Sequence, residues 1–346
     1  MNRLVPSLLA AALLACGGSN PPAETGGATL QTGGGPPETS SLPPGPEPAP
    51  SSELVQGIKA FDAGSYADAR KLFDAATKKD PKNYEAFFDL GQACEKLGDK
   101  PAAEAAYKAA LDVRPDLDTA AAALSSMYVE ANRIDDALAV AKAGLAKHPG
   151  SAALHENLGV ALATRGDQEP ATMELESAVK AQPNDPMFHL TLAHWLNAWK
   201  IRGAAPHLDA ALGLVKDDYG MIASIGFEYR MAGEFDSCIK TFDRAVAMKD
   251  GGEVRTERAL CKLGAKDEKG TIADLEAAVA KEPSYAPAHY YLAGRLASTK
   301  HYKEAAGEYA KYLELAPNGS LAKAANERLK MAQDAAKGGK GGGKPR

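Results

Sequence analysis

Small and aromatic residues recur in this chain at intervals of 34 residues. The positions of one copy and of the next are Gly57, Gly64, Ala69, Phe73, Ala76 and Pro81, followed by Gly91, Gly98, Ala103, Tyr107, Ala110 and Pro115. A fixed period of roughly 20–50 residues marks arrays in which each repeat is one small supersecondary unit. Such a unit cannot bury its apolar face alone, so neighbouring copies must stack into one core. The period therefore predicts a stacked repeat architecture.

The same positions continue in later copies. They are Ala137, Ala141, Gly144 and Pro149; Gly159, Gly166, Ala171, Leu175, Ala178 and Pro183; Gly226, Gly233, Phe242 and Ala245; and Ala293, Tyr302, Ala305, Tyr309 and Pro317. This order of small, aromatic and proline positions resembles the tetratricopeptide repeat. The resemblance covers residues 51–317 and implies an all-α superhelix of about eight helix-turn-helix repeats. Frequent alanine agrees with this fold, because alanine has the highest helix propensity.

The carboxyl-terminal end of the array has its own predictions. The last repeat needs a cover for its apolar face. Residues 318–336 supply apolar positions at helical spacing, including Leu321 and Leu329, and are predicted to form a capping helix. Residues 337–346 consist mainly of lysine and glycine and are predicted to be a basic disordered tail.

Two copies depart from the pattern. In the fifth copy, Trp195 and Trp199 replace small or polar residues, Lys200 replaces the expected glycine, and the second helix, over 203–216, is shifted by about one residue. In the seventh copy, the first helix is predicted to end near Gly264. These irregularities either bend the superhelix or are sequence divergence that the fold tolerates.

Residues 1–15 have the pattern of a secretory signal. Arg3 precedes an apolar run that is too short to span a bilayer. The run ends in Leu-Leu-Ala followed by Cys16, which resembles the lipobox of bacterial lipoproteins. The resemblance implies that Cys16 is acylated and, because Gly17 and not aspartate follows, that the protein is sorted to the outer membrane. The alternative is an ordinary signal peptide with a chance cysteine.

Residues 16–50 form a predicted tether behind the lipidated cysteine. Proline and glycine dominate this segment, and Glu24, Glu38 and Glu47 are its only charged residues. It offers almost nothing to bury and is predicted to be disordered. A chain of this length would span ~100 Å if it is polyproline-like, or ~30 Å as a flexible coil, so the array is expected to work away from the membrane surface.

Several function classes find no support in the sequence. The net charge of -5 argues against a nucleic-acid binder, and no later apolar run reaches the length of a membrane-spanning helix. His155 and Glu156 begin like a zinc-protease motif, but Gly159 stands where the second histidine is required. His189 and His194 are five residues apart and point to different faces of a helix. We therefore expect no metal, no cofactor and no catalytic site.

The cysteines within the array offer one candidate disulfide. Cys94 lies at an apolar position and is predicted to be a buried free thiol. Cys238 and Cys261 lie on consecutive antiparallel helices, at similar distances either side of the intervening turn. They either pair, as export to an oxidising compartment would permit, or remain free if their rotational phases do not match.

The first helix of each repeat lines the concave face in the resembled family, and this implies a protein-binding groove. The groove residues that this resemblance implies are Phe61, Phe88, Gln92, Glu156, Asn157, His194, Trp195, Trp199, Phe227, Arg230 and Tyr290. Leu54, Ile58 and Asp89 stand where co-chaperone members carry their carboxylate clamp, so that clamp is not supported. The aromatic groove residues suit a partner helix or an extended segment, or some of them complete the packing between repeats.

Trp195 and Trp199 share one helix face because they are four residues apart. They are either a partner-binding hot spot or core filler in an alanine-rich array.

Together these features predict a periplasm-facing scaffold, anchored in the outer membrane, that binds protein partners of a cell-envelope machine. Gliding or type IV pilus motility is the first choice, because the long tether allows a reach into the periplasm. The alternatives are a regulator docking on a periplasmic peptidoglycan hydrolase or protease, and an outer-membrane assembly factor.

Overall fold

A computed structural model describes residues 51–338, and within that range all the regular secondary structure is helical. Its seventeen helices are α1 (Ser52–Asp62), α2 (Tyr66–Lys79), α3 (Tyr84–Lys96), α4 (Lys100–Val113), α5 (Asp118–Glu130), α6 (Ile134–Leu145), α7 (Ala152–Arg165), α8 (Gln168–Ala181), α9 (Pro186–Ala198), α10 (Ala204–Leu214), α11 (Tyr219–Ala232), α12 (Phe235–Met248), α13 (Gly252–Gly264), α14 (Glu268–Lys281), α15 (Ala286–Ser298), α16 (Tyr302–Leu315) and α17 (Ala322–Gly338). The predicted all-α fold of helix-turn-helix repeats is confirmed.

The described residues fall into two compact units. The first ends at Glu174 and the second begins at Leu175, so the division lies within α8. Odd-numbered helices from α1 to α15 are the first helices of the repeats, and even-numbered helices are the second helices.

Close contact between the two helices of a repeat explains the recurring glycine and aromatic positions. A methyl group added at Gly57 would lie 2.5 Å from the ring of Phe73, and one at Gly91 would lie 2.5 Å from the ring of Tyr107. In each case the ring of the second helix occupies the space that a side chain on the first helix would need. The aromatic residue and the glycine sixteen residues before it therefore form one packing unit.

The turn between the two helices repeats with the same period. Eight residues at these turns have left-handed backbone geometry: Gly64, Gly98, Asn132, Gly166, Lys200, Gly233, Lys266 and Lys300. Successive members of this set are 33 or 34 residues apart, which gives eight copies. Lys200 adopts φ 58° where the pattern leads one to expect glycine. A non-glycine residue pays roughly 1–2 kcal/mol for this geometry, and the fifth copy keeps its turn nevertheless.

The fifth copy and the carboxyl-terminal end differ in detail from the sequence prediction. Helix α10 runs from Ala204 to Leu214 and follows Gly203, whose φ of 124° is accessible to glycine. The terminal helix α17 begins at Ala322, later than the predicted start at residue 318. Before it lies a turn, in which the Leu321 amide donates a hydrogen bond to the Tyr312 hydroxyl at 3.2 Å.

Several predictions concern residues outside the described range. They are the signal peptide over 1–15, the lipidated Cys16, the tether over 16–50 and residues 339–346 of the predicted tail. The first two residues of that tail, Lys337 and Gly338, belong instead to α17, which ends two residues later than predicted. Among residues 51–338, no helix has the length and apolar character needed to cross a membrane.

Candidate protein-binding faces

The first helices of the first unit hold five of the predicted groove residues in half-buried positions. These residues are Phe61, Phe88, Gln92, Glu156 and Asn157. A half-buried side chain is fixed by its neighbours and still offers surface to a partner. The arrangement is therefore suited to binding.

The two phenylalanines also contribute to the core. The Phe61 ring meets Tyr66 edge-on, with 5.2 Å between centroids, and packs against the apolar cluster around Leu54. The Phe88 ring lies 5.7 Å from the ring of Tyr107. Each phenylalanine is thus held in place by a second helix, and only part of its ring remains accessible.

Asn157 also ties helices together. Its Nδ2 atom donates a hydrogen bond to the Ala122 carbonyl oxygen at 2.8 Å, which links α7 to α5. The neighbouring Glu156 also engages in an interaction within the structure. This end of the predicted groove is therefore partly used for packing between repeats.

The two helices that carry Phe61 and Phe88 also carry carboxylates. We call Asp62, Glu85 and Asp89 the acidic face. Burial and the nearby charges of Glu85 and Asp62 raise the pKa of Asp89 to about 7. On the same helix, burial raises the pKa of Glu95, which accepts a hydrogen bond from the Tyr107 hydroxyl.

A buried carboxylate organises the corresponding helices of the second unit. The Glu228 side chain is only 2% exposed. One of its oxygens lies 2.8 Å from Nδ1 of His194, and the other accepts a hydrogen bond from Nδ2 of Asn197 at 2.8 Å. These contacts join α9 to α11. Sequence reasoning selected His194 but missed Glu228 and Asn197, although Glu228 follows His194 by one period of 34 residues.

The groove continues from α11 to α13 through a charged pair. Nε of Arg230 lies 3.2 Å from a carboxylate oxygen of Glu257, and the Arg230 guanidinium lies over the Phe227 ring at 4.8 Å. Burial raises the pKa of Glu257, and the charge of Arg230 counteracts that effect. The structure therefore brings together Phe227 and Arg230, both selected from sequence, and adds Glu257.

The two tryptophans lie against each other at the end of α9. Their ring centroids are 5.4 Å apart, and the His194 ring meets Trp195 edge-on at 5.5 Å. Both indoles are half-buried. The three rings thus form one aromatic group beside the buried Glu228.

Tyr290 differs from its predicted place in the groove. It is 6% exposed, and its ring packs against Tyr309 and Tyr312. Residues Ala322 and Ala325 of α17 belong to the same apolar cluster. The terminal helix therefore encloses Tyr290 in the core, and its side chain is not part of an open face.

The two candidate cysteines are joined in the structure. Cys238 on α12 and Cys261 on α13 form a disulfide, with 5.9 Å between their Cα atoms. Both residues are fully buried. Cys94 is a buried free thiol.

Three histidines share a contact that the sequence analysis did not identify. Nε2 of His155, His189 and His289 donates to the carbonyl oxygen of the proline six residues earlier. On the other side of the ring, His155 meets Glu174 and His289 meets Glu308, each at 2.6 Å. His189 instead meets Nδ1 of His207 at 3.1 Å. The recurring Pro-x5-His spacing was the available signal.

The histidines therefore have separate partners. His189 contacts His207, whereas His194 contacts Glu228. Burial, reinforced by the neighbouring His189, lowers the pKa of His207. Over residues 51–338, no group of three or more histidine, cysteine or acidic side chains is placed to hold a metal ion.

This chain is similar in sequence to a known protein family and to a protein of Xanthomonas. A family profile described as tetratricopeptide repeat matches residues 54–121, 123–186 and 272–320. Cellulose synthase operon protein C of Xanthomonas axonopodis pv. citri (strain 306) is 29% identical over 207 residues, which cover 56% of this chain. The match spans 14% of that relative's length.

This chain is also similar to solved structures at low sequence identity. The Cut9–Hcn1 heterotetramer of the APC/C matches with a TM-score of 0.49 and 16% identity, over 81% of this chain and 55% of the other. Pseudomonas aeruginosa PilF matches with a TM-score of 0.48 and 15% identity, over 57% of this chain and 90% of the other.

Proposed function

This chain belongs to the tetratricopeptide repeat family, and from that premise we propose that it is a non-catalytic adaptor that binds protein partners through its first helices. We further propose that acylated Cys16 anchors it in the outer membrane, facing the periplasm. The observation that carries the adaptor function is the run of half-buried aromatic and polar side chains along the first helices of both units.

The aromatic group of α9 is the strongest candidate contact for a partner. Trp195, Trp199 and His194 are held against one another, and each keeps part of its surface accessible. Rigid aromatic side chains lose little conformational entropy on binding, and tryptophan is enriched at binding hot spots. Replacing both tryptophans with leucine should abolish partner capture while helix content is retained.

Two observations support an exported, anchored protein. The sequence before Cys16 has the length and composition of a lipoprotein signal. Independently, Cys238 and Cys261 are paired, and disulfides persist mainly in oxidising compartments such as the bacterial periplasm.

The proposal extends to the kind of machine. A proline- and glycine-rich segment of this length behind the anchor would let the array meet partners far from the membrane. We therefore place the adaptor in a trans-envelope motility complex, of the gliding or type IV pilus kind. The relative from Xanthomonas carries a name that refers to a cellulose synthase operon, and its similarity supports the adaptor class without indicating that operon for this chain.

In-cell crosslinking tests the adaptor function. A photo-reactive amino acid is placed at Gln92 or Phe227 on the first helices and, as a matched control, at the exposed Glu169 on the second helix α8. We expect a discrete crosslinked partner from at least one first-helix position and none from Glu169. Absence of a specific partner from both first-helix positions would overturn the proposal.

The anchor is tested separately. Metabolic labelling with palmitate should label the wild-type protein but not Cys16→Ala, which should move from the membrane fraction to the soluble fraction. A Cys16→Ala chain that stays in the membrane fraction would rule out acylation as the anchor.

A further inference from the structure

Charge is distributed unequally among the first helices of the two units. In the first unit, helices α1, α3, α5 and α7 carry eight aspartate or glutamate residues and three lysine or arginine residues. In the second unit, helices α9, α11, α13 and α15 carry three acidic and five basic residues. The excess of negative charge therefore belongs to the helices of the first unit that carry its predicted groove.

The carboxylates of the acidic face have no cationic partner within residues 51–338. Asp62, Glu85 and Asp89 form no ion pair there, whereas Arg230 and Glu257 of the second unit pair with each other. The charges that act on Asp89 are those of Glu85 and Asp62, and both oppose its ionisation. The acidic face thus holds like charges that act on one another, and a cationic group of a partner would relieve that repulsion.

Apolar surface accompanies these charges. The half-buried rings of Phe61 and Phe88 lie on the same two helices as the acidic face. Val55 and Ile58 of α1 are 36% and 43% exposed, and they precede Asp89 and Gln92 by one period of 34 residues. The first-helix positions of α1 and α3 therefore combine negative charge with accessible apolar side chains. A simple cation could pair with the negative charges but would not cover the apolar side chains.

We propose that the acidic face, together with Phe61 and Phe88, docks a segment of a partner protein in which lysine or arginine residues are interspersed with apolar ones. The basic side chains would pair with Asp62, Glu85 and Asp89, and the apolar ones would cover the phenylalanines. This inference rests on the proposed adaptor function and specifies the chemistry of one partner.

The test uses the unlipidated full chain, Cys16→Ala, and a labelled synthetic peptide of about 16 residues with lysine, arginine and leucine at helical spacing. Binding is followed by fluorescence anisotropy. The variant Asp62→Asn/Glu85→Gln/Asp89→Asn neutralises the acidic face. The control, Asp112→Asn/Asp135→Asn/Glu169→Gln, removes the same charge from exposed positions on second helices of the same unit.

We expect the acidic-face variant to weaken binding about tenfold and the control to change it less than about twofold. Raising the salt concentration from about 50 to about 300 mM should weaken peptide binding to the Cys16→Ala chain without further substitutions several-fold. Circular dichroism should show equal helix content in all three proteins. Removal of like-charge repulsion favours folding, so the acidic-face variant is expected to remain folded.

Three outcomes would overturn the inference. Equal weakening by both variants would indicate general attraction to an acidic protein. Equal binding of a peptide with glutamate in place of its basic residues would exclude charge recognition. Equal binding of a peptide with the sequence of residues 337–346, in which Pro345 is the only apolar side chain, would show that the apolar residues of the partner segment are not needed and that this chain's own tail could bind the acidic face. If crosslinking from Gln92 or Phe227 still captures a partner, the adaptor function stands while this inference fails.

Discussion

The glycine opposite each aromatic ring sets the distance between the paired helices. We expect Gly91→Ala to destabilise the protein by about 1–3 kcal/mol, because the added methyl group would lie 2.5 Å from Tyr107. Gly307→Ala is the matched control, since a methyl group at Gly307 meets nothing within 4 Å and alanine favours the helix. Thermal unfolding should show a lower midpoint for the first variant and an unchanged or higher midpoint for the second. Equal midpoints would contradict the packing account.

The carboxyl of Asp89 makes stability depend on pH. Its folded-state pKa of about 7 lies above the ordinary value of 3.8, so the folded protein holds the proton more tightly than the unfolded chain. Stability should therefore fall as pH rises from about 4 to about 7, and the penalty should be complete above that range. Asp89→Asn should raise the unfolding midpoint at about pH 8 and leave it nearly unchanged at about pH 4. An equal shift of the unfolding midpoint at both pH values would show that ionisation of Asp89 is not the cause.

The histidine pair of the fifth copy has the opposite pH dependence. Burial and His189 lower the pKa of His207 below its ordinary value of 6.5, so the unfolded chain binds this proton more readily. The contribution of this site to the free energy of unfolding should be fully present above about pH 6.5. It should decrease as the solution becomes more acidic. His207→Gln removes the titrating group. The loss of stability on acidification should be smaller in this variant than in the wild-type chain, and an equal loss would exclude His207 as its source.

At the scale of helices, the disulfide joins the second helix of the sixth copy to the first helix of the seventh. The two cysteines are separated by 23 residues, and closing a loop of that size stabilises a protein by about 3 kcal/mol. Cys238→Ser/Cys261→Ser should therefore unfold at a lower temperature than the wild-type chain.

Thiol counting tests the disulfide directly. In the Cys16→Ala chain, alkylation in denaturant without reductant should modify Cys94 alone, and prior reduction should bring the number of modified cysteines to three. Three modified cysteines without reduction would show that the bond is absent.

Helices and turns were the most predictable elements because local patterns specify them. The period placed glycine in four of the turns, at Gly64, Gly98, Gly166 and Gly233. It also placed an aromatic residue sixteen positions after Gly57, Gly91 and Gly226. Lys200, Lys266 and Lys300 were harder to recognise as turn residues, since lysine has no intrinsic preference for left-handed geometry. The neighbouring helices hold the backbone there regardless of residue type.

At the scale of the whole molecule, contacts between repeats limited the prediction of the faces. Glu228 joins side chains that lie 31 and 34 residues before it, and no pattern within one helix indicates that it is buried. Tyr290 occupies a groove position in its own repeat, yet α17 encloses it. The fold followed from the period of the sequence, whereas the accessibility of individual groove residues required the three-dimensional arrangement.

The bond between Cys238 and Cys261 also bears on how the chain would respond to mechanical tension. An adaptor held by a lipid at one end and by a partner elsewhere transmits force through its backbone, and a repeat that peels away lengthens it. The 23 residues bridged by this bond correspond to about 80 Å of extended chain at ~3.5 Å per residue. While the disulfide is intact, that length of chain cannot be released. The junction of the sixth and seventh copies would therefore be the part of the array most resistant to unfolding under force.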